Sequence, residues 1–256
     1  MTDAHCHVSC GDPSVSEFLV GRDFFGVHPW ETLCETTWTC EACETGAGLS
    51  SLACPASRQL IASLRAQLLA NPRAGVGEIG LDRLKRRDIS PLMREVFEAQ
   101  LSLAGELGRP VVLHGAKCWG QVVAAVKRVM GGGLAVGDGR RGGLATCGER
   151  RAFLFHGFSR SDGLIPDIVK LDGFISVGPA VLNDHAVNYR ALVKKIPPAN
   201  LLVETDRTEA NAADCPSIRD VLAKTADLLG LPAAELERIT DENAERFMRG
   251  TVPEQT

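Results

Sequence analysis

Six side chains of the types that bind divalent metals, His5, His7, Glu78, His114, His156 and Asp206, stand at or near the ends of short apolar runs. The first two lie in Asp3-Ala4-His5-Cys6-His7. Residues two apart on a strand project from one face, so His5 and His7 can present two imidazoles to a single cation while Cys6 points into a core. The other four belong to the runs VGEIG, PVVLH, FLFHG and LLVETD, which read as buried strands. A carboxylate behind an apolar strand is costly to desolvate unless something carries the opposite charge, and a cation does so. One strand-end histidine can simply cap a carbonyl or sit in a core; an H-x-H pair with four further ligand types favours a metal. A bound ion makes water reactive near neutral pH, which is hydrolytic chemistry.

Side chains scattered this widely meet only if the fold brings strand ends together. Parallel strands around a barrel do this, since all deliver their C-terminal ends to one mouth. Apolar runs alternate with helical patterns along the chain, as in βα units. Ser90-Pro91 opens one helix, with Leu92, Val96, Ala99, Leu103 and Leu107 as its stripe and Gly108 and Pro110 as its stop. Ser217 opens another, closed by Gly230 and Pro232. Seven strands are expected, near 2–8, 23–28, 74–79, 110–114, 152–156, 173–177 and 200–204. Only about fifteen residues separate the first two, too few for a helical crossover. The expected fold is therefore α/β, a TIM-like (β/α) barrel that is distorted or seven-stranded. One domain spans 1–256, with insertions near 34–57 and 131–151. The first insertion carries Cys34, Cys40, Cys43 and Cys54, read as reduced thiols; the second is a Gly/Arg-rich connector.

The bulk properties narrow the functional class. The 256 residues suffice for one barrel, and no apolar run approaches the ~18–20 residues of a membrane span. The net charge of −4 argues against a broad basic surface for nucleic acid, although bound cations would make a cleft locally positive. Nine irregularly spaced cysteines behind a polar N-terminus point to a reduced, cytoplasmic enzyme with no export signal and no membrane partner.

In order along the chain, DAHCH, GVHPW (26–30), GEIGLD (77–82), EVFEAQLSLAGELGRPVVLH (95–114), HGFS (156–159), FISVGP (174–179) and LLVETD (201–206) resemble the motifs of the TatD-like metal-dependent hydrolases, within the amidohydrolase-like barrels. The resemblance implies two divalent ions (Mg, Mn or Zn), with His5, His7 and Asp206 on one, His114 and His156 on the other, and Glu78 bridging. Two cations ~3.5–4 Å apart clamp an in-line phosphoryl displacement. Glu78 and Asp206 would then carry the catalytic work, Asp206 both ligating and orienting the attacking water. His28, in GVHPW, is expected to contact a substrate phosphate or support the ligands. The chain also departs from the family pattern. His114-Gly115-Ala116 replaces the usual His-Ser-Arg, with Lys117 able to supply the charge one residue later, and Arg207-Thr208 follows Asp206 where Ser-Pro or Ala-Pro is usual, so Arg207 is a further candidate for phosphate. The leading expectation is a deoxyribonuclease or phosphodiesterase acting on DNA or a small phosphodiester. The alternative is hydrolysis of a small ester, lactone or amide with the same ions. The third is a non-catalytic scaffold stabilised by metal.

Overall fold

The computed structural model describes residues 1–33, 55–85, 87–130 and 152–249. Cys34, Cys40, Cys43 and Cys54 and the connector 131–151 therefore lie outside the described residues. The described residues hold eight strands: β1 (Thr2–Cys6), β2 (Ser16–Leu19), β3 (Phe24–Phe25), β4 (Gly75–Asp82), β5 (Val111–Ala116), β6 (Phe153–Phe155), β7 (Phe174–Val177) and β8 (Leu201–Val203). The helices are α1 (Pro55–Ala70), α2 (Pro91–Leu107), α3 (Trp119–Met130), α4 (Ile165–Lys170), α5 (Val187–Val193), α6 (Ile218–Leu229) and α7 (Ala233–Met248). The short helices α4 and α5 were not foreseen from the sequence.

The caps read from the sequence are present. The Ser90 hydroxyl accepts from the Met93 amide, and α2 ends at Gly108 with φ 64°. Ser217 accepts from the Asp220 amide, and α6 ends at Gly230 with φ 67°. Each cap satisfies a backbone group that the helix terminus otherwise leaves bare.

Strands β3 to β8 form one parallel sheet in sequence order, and β1 and β2 form a second parallel pair. The pair is tied to the sheet on both sides. The Asp206 amide donates to the His5 carbonyl and the His7 amide to the Arg207 carbonyl beyond β8, while a single bridge joins Val20 to Phe24 at β3. The result is a distorted TIM-like arrangement in which helices alternate with parallel strands. No helix among the described residues is long and apolar enough to cross a membrane.

The count of seven strands is corrected to eight by β2. Its sequence, Ser-Glu-Phe-Leu, has no apolar run to announce it. It pairs with β1 through Thr2↔Ser16, Asp3↔Glu17 and Cys6↔Leu19, after a helix-free connection over residues 7–15. Polar contacts do a helix's work there. Glu17 accepts from the Ser9 hydroxyl and the Cys10 amide, and Arg219 of α6 reaches Asp12 and Ser14.

Two apolar layers show which face each strand residue takes. Val111, Leu113, Phe155, Ile175, Leu201 and Val203 pack outward with Leu68, Phe97, Val122 and Val221 of the helices. Ala4, Phe24, Val112, Leu154, Phe174 and Leu202 pack inward around Phe247 of α7. The period of two then aims His114, His156 and Glu204, each two residues beyond an inward side chain, at the same interior. Strand β4 needs a correction of phase. Val76, Ile79 and Leu81 all face outward, which strict alternation forbids, and the register shifts between Val76 and Ile79. That irregularity turns Glu78, Gly80 and Asp82 inward. Gly80 is required by the tight approach of β5, since a Cβ there would meet the His114 carbonyl oxygen at 1.9 Å.

Candidate metal centre

The strand ends bring His5, His7, Glu78, His114, His156 and Asp206 into one cluster, joined by His28. Glu78, buried on β4, is its hub. Its Oε1 lies 2.5 Å from His114 Nδ1, 3.0 Å from His156 Nε2 and 3.7 Å from His28 Nε2. Its Oε2 lies 3.5 Å from Nε2 of both His5 and His7. Asp206 closes the other side, its Oδ1 3.9 Å from His5 Nε2 and 3.7 Å from His7 Nε2. The backbone of Asp206 is left-handed, with φ 49°, a conformation usually kept only where the surroundings enforce it.

These contacts are of two kinds. Around His5 and His7 the separations exceed a hydrogen bond but suit donors sharing one ion, which at ~2.1 Å from a tetrahedral centre stand about 3.4 Å apart. His5 is fully buried, and among the described residues neither of its ring nitrogens has a hydrogen-bond partner. Leaving such a group bare costs roughly 1–3 kcal/mol, and a cation on Nε2 removes that cost. The donor set therefore fits a divalent ion. Burial, and then the neighbouring His156, hold the His5 imidazole below its usual pKa, in the neutral form that ligates. Around His114 and His156 the separations are hydrogen-bonding ones, so protons fill the space between donors. Among the described residues, donor atoms close enough to share an ion fall into three overlapping sets: His5, His7 and Asp206; His5, Glu78 and His156; His28, Glu78 and His114. The last places His28 among the candidate ligands.

Buried carboxylates orient the histidines. Nδ1 of His156 donates to Glu204 Oε2 at 3.2 Å, which aims Nε2 at Glu78, and the other Glu204 oxygen accepts from the Gly157 amide at 2.8 Å. Carboxylates behind a ligating histidine fix its tautomer and raise its basicity. Burial pulls His156 down, but Glu204 and Glu78 outweigh it and hold the ring well above its usual pKa. Asp82 serves His114 in the same way, with Oδ2 3.0 Å from Nε2. Asp82 also accepts from the Trp30 indole at 2.8 Å and from the Leu84 amide at 2.5 Å. Burial pushes the Asp82 carboxyl up, yet the bonds from His114, Leu84 and Trp30 bring it down to about 2. Asp3 anchors the first strand: it accepts from the amide and hydroxyl of Thr205, and its burial pushes the carboxyl up to about 7.

Glu204 was not singled out from the sequence, though its signal was there: it lies two residues before Asp206 and so shares its face in an extended segment. Asp82 stood in GEIGLD with its role open. Cys6 is buried, its thiol against the Phe18 carbonyl. Lys117 is exposed beside His114 in a cleft. Arg207 offers its carbonyl to the amides of His7 and Val8 and lines neither cleft described next.

Two clefts flank the cluster. One of about 700 Å³ opens over β4, β5 and β6, lined by Leu84, His114, Lys117, Trp119, His156 and Arg160 among others. One of about 950 Å³ opens toward α5, with Pro179, Ala180, Val187, Tyr189, Lys195 and Glu204 in its walls. Asp206 and Arg160 border both.

Comparison with known proteins places this geometry in context. A sequence profile described as TatD related DNase matches residues 21–249. His5 and His7 precede that span, and it is the fold that carries them to Glu78. Among curated relatives, the uncharacterized metal-dependent hydrolase YabD of Bacillus subtilis (strain 168) is 29% identical over 183 residues, 68% of this chain and 64% of its own length. The 3′-5′ ssDNA/RNA exonuclease TatD of Edwardsiella piscicida is 28% identical over 145 residues, 54% of this chain and 48% of its own. The chain thus spans less than two thirds of the length of these relatives. Among solved structures, the TatD homologue YJJV of Escherichia coli K12 aligns with a TM-score of 0.64 at 21% identity, over 95% of this chain and 79% of that one. An uncharacterized amidohydrolase from Saccharomyces cerevisiae aligns with a TM-score of 0.64 at 17% identity, over 91% and 80%. These two likenesses establish the shared fold.

Proposed function

The chain belongs to the TatD related DNase family, and from that premise we propose that it is a divalent-metal-dependent phosphodiesterase that hydrolyses single-stranded DNA or RNA, trimming from the 3′ end. The observation that carries the reading is the buried His5 ring with two unpartnered nitrogens, facing Glu78, His7 and Asp206 at ligand-sharing distances. Relatives named as metal-dependent hydrolases and as a 3′-5′ ssDNA/RNA exonuclease support it. In this reading His5, His7 and Asp206 would hold one ion (Mg, Mn or Zn), His114 and His156 a second, and Glu78 would serve both.

Ions held by these residues would supply an activated water and positive charge for the phosphoryl oxygens. The protein's own groups do the rest. Asp206 has its carboxylate half exposed at the junction of the clefts, placed to orient the attacking water and accept its proton. Glu78 keeps the imidazoles converged, while Glu204 and Asp82 fix their tautomers. His28 faces Glu78 at the edge of the cluster and is placed to meet a phosphate oxygen or add a ligand. The thiols of Cys6, Cys10, Cys118 and Cys215 are free, which suits a reducing, cytoplasmic setting.

The test is turnover of labelled single-stranded oligonucleotides by protein reconstituted with each ion, beside lactones and carboxylic esters. The reading expects chelator-sensitive shortening from the 3′ end. Turnover of the carbonyl compounds alone would replace it with the small-ester reading, and metal binding with no turnover at all would leave the scaffold reading.

A further inference from the structure

The smaller cleft has a chemistry that the metal cluster does not explain. Lys117 and Arg160 stand exposed in its walls, and among the described residues neither has a carboxylate partner. Among the described residues, the cleft's only acidic wall residue is Asp206, which the centre itself claims. Both cations sit on left-handed backbone, with φ 57° at Lys117 and 58° at Arg160. A non-glycine residue in that region is uncommon and costs stability, so the side chains are held there against a local preference.

Leu84, 57% exposed, lines the same cleft. Trp30, 44% exposed, is not in its walls but shares the Asp82 carboxylate with the Leu84 amide. Asp82 ties both to the centre through the Trp30 indole and the Leu84 amide, and Lys85 lies 3.5 Å over the Trp30 ring. The larger cleft shares Arg160 and carries the exposed Val187, but Lys117 is absent from its walls, its Lys195 is paired with Asp162, and Glu204 contributes negative charge.

From these observations we infer that the cleft between the ends of β4, β5 and β6 is the track for a single-stranded polynucleotide, with Lys117 and Arg160 on the phosphates flanking the scissile one and Leu84 and Trp30 against the bases. Cations that follow a backbone, interleaved with apolar or aromatic faces on which any base can rest, are the features that bind single strands without reading sequence. The acidic net charge of the chain is no obstacle, because Lys117 and Arg160 place positive charge at the mouth itself. The inference rests on the phosphodiesterase reading for its scissile phosphate, but the binding track is separable from it.

Glycine substitutions test it cleanly. Lys117→Gly and Arg160→Gly remove the cations while relieving the backbone, so the melting temperature should be no lower than the parent's. In metal-reconstituted protein, each should raise KM for dT20 and rU20 about five- to tenfold with a smaller change in kcat, and the loss on dT20 should exceed that on bis(p-nitrophenyl) phosphate at least fivefold. Fluorescence anisotropy with a slowly hydrolysed phosphorothioate dT20 gives a second readout. The slope of log K against log salt should become shallower by about 0.7 per cation removed. If the parent cleaves dT20 and both glycine variants keep its KM and salt slope, the track is wrong while the phosphodiesterase reading stands. If the parent binds the strand with the predicted slopes but cleaves nothing, the track stands without that reading. Absence of strand binding by the parent overturns the track.

Discussion

The two clefts beside the cluster share Gly157, Ser159, Arg160 and Asp206 yet differ in the charge pairing of their remaining walls. Over β4, β5 and β6 the walls add the unpaired Lys117 and the exposed Leu84. Toward α5 they add Lys195, which is paired with Asp162, and Pro179, Ala180, the exposed Val187, Tyr189 and the buried Glu204. The difference separates two tasks within one mouth. The second side props the histidines, and the first is open to an anionic chain. Neither the family nor the net charge of −4 reveals this asymmetry; it comes from where the pairings fall.

The comparison can be broken at its shared floor. Glu78→Gln keeps the shape of the hub but removes the charge facing His5, His7, His114 and His156, and should lower kcat/KM on every substrate by at least ~10³-fold, about 4 kcal/mol in the barrier. Full activity of this variant, measured with metal content, would remove the centre from the chemistry. Next in size is the prop. Glu204→Gln loses the charge that holds His156, and should weaken metal affinity or activity about 10–100-fold, with a steeper dependence of rate on added ion. Unchanged metal titration would make Glu204 a packing residue only.

A smaller effect concerns protons. In the metal-free protein His114 and His156 are held above their usual pKa, and Asp3 is raised to about 7. Such groups bind more protons folded than unfolded, so their contribution is full at low pH and lost as pH rises through the folded values. Glu78, Glu204 and Asp82 are shifted down and act oppositely, but only as pH falls toward the carboxylate range. Among the described residues only the lowered His5 opposes this near neutrality, so the metal-free chain should lose stability between pH 6 and 9, read as a falling Tm. Saturating metal, which needs those ligands deprotonated, should flatten or reverse the slope. Parallel slopes with and without metal, by differential scanning fluorimetry, would contradict this. Smallest of all, Lys195→Ser on the neutral side should change KM for dT20 less than twofold, and a change matching that of Lys117→Gly would erase the asymmetry.

Much of the centre was legible because strand periodicity is strict. Val112 and His114, Leu154 and His156, and Leu202, Glu204 and Asp206 each read as one face carried from core to mouth. The caps at Ser90 and Ser217 were equally plain, since each is a local bond between neighbours. The illegible parts depend on contacts distant in sequence. Strand β2 is polar and exists because β1 and Arg219 hold it. The inward turn of Glu78 depends on a register shift that the run VGEIG, apolar on both sides, does not betray. The link from Trp30 through Asp82 to His114 joins three motifs whose spacing carries no hint of contact. Arg160 reads as one loop residue among many until β6 brings it to the cleft.

The most direct test of the central claim is anomalous scattering from crystals loaded with Mn²⁺ or Zn²⁺. The account predicts a peak within about 2.0–2.3 Å of Nε2 of both His5 and His7 and of an Asp206 oxygen. Full hydrolytic activity in crystals whose anomalous density lies elsewhere, or is absent, would contradict it.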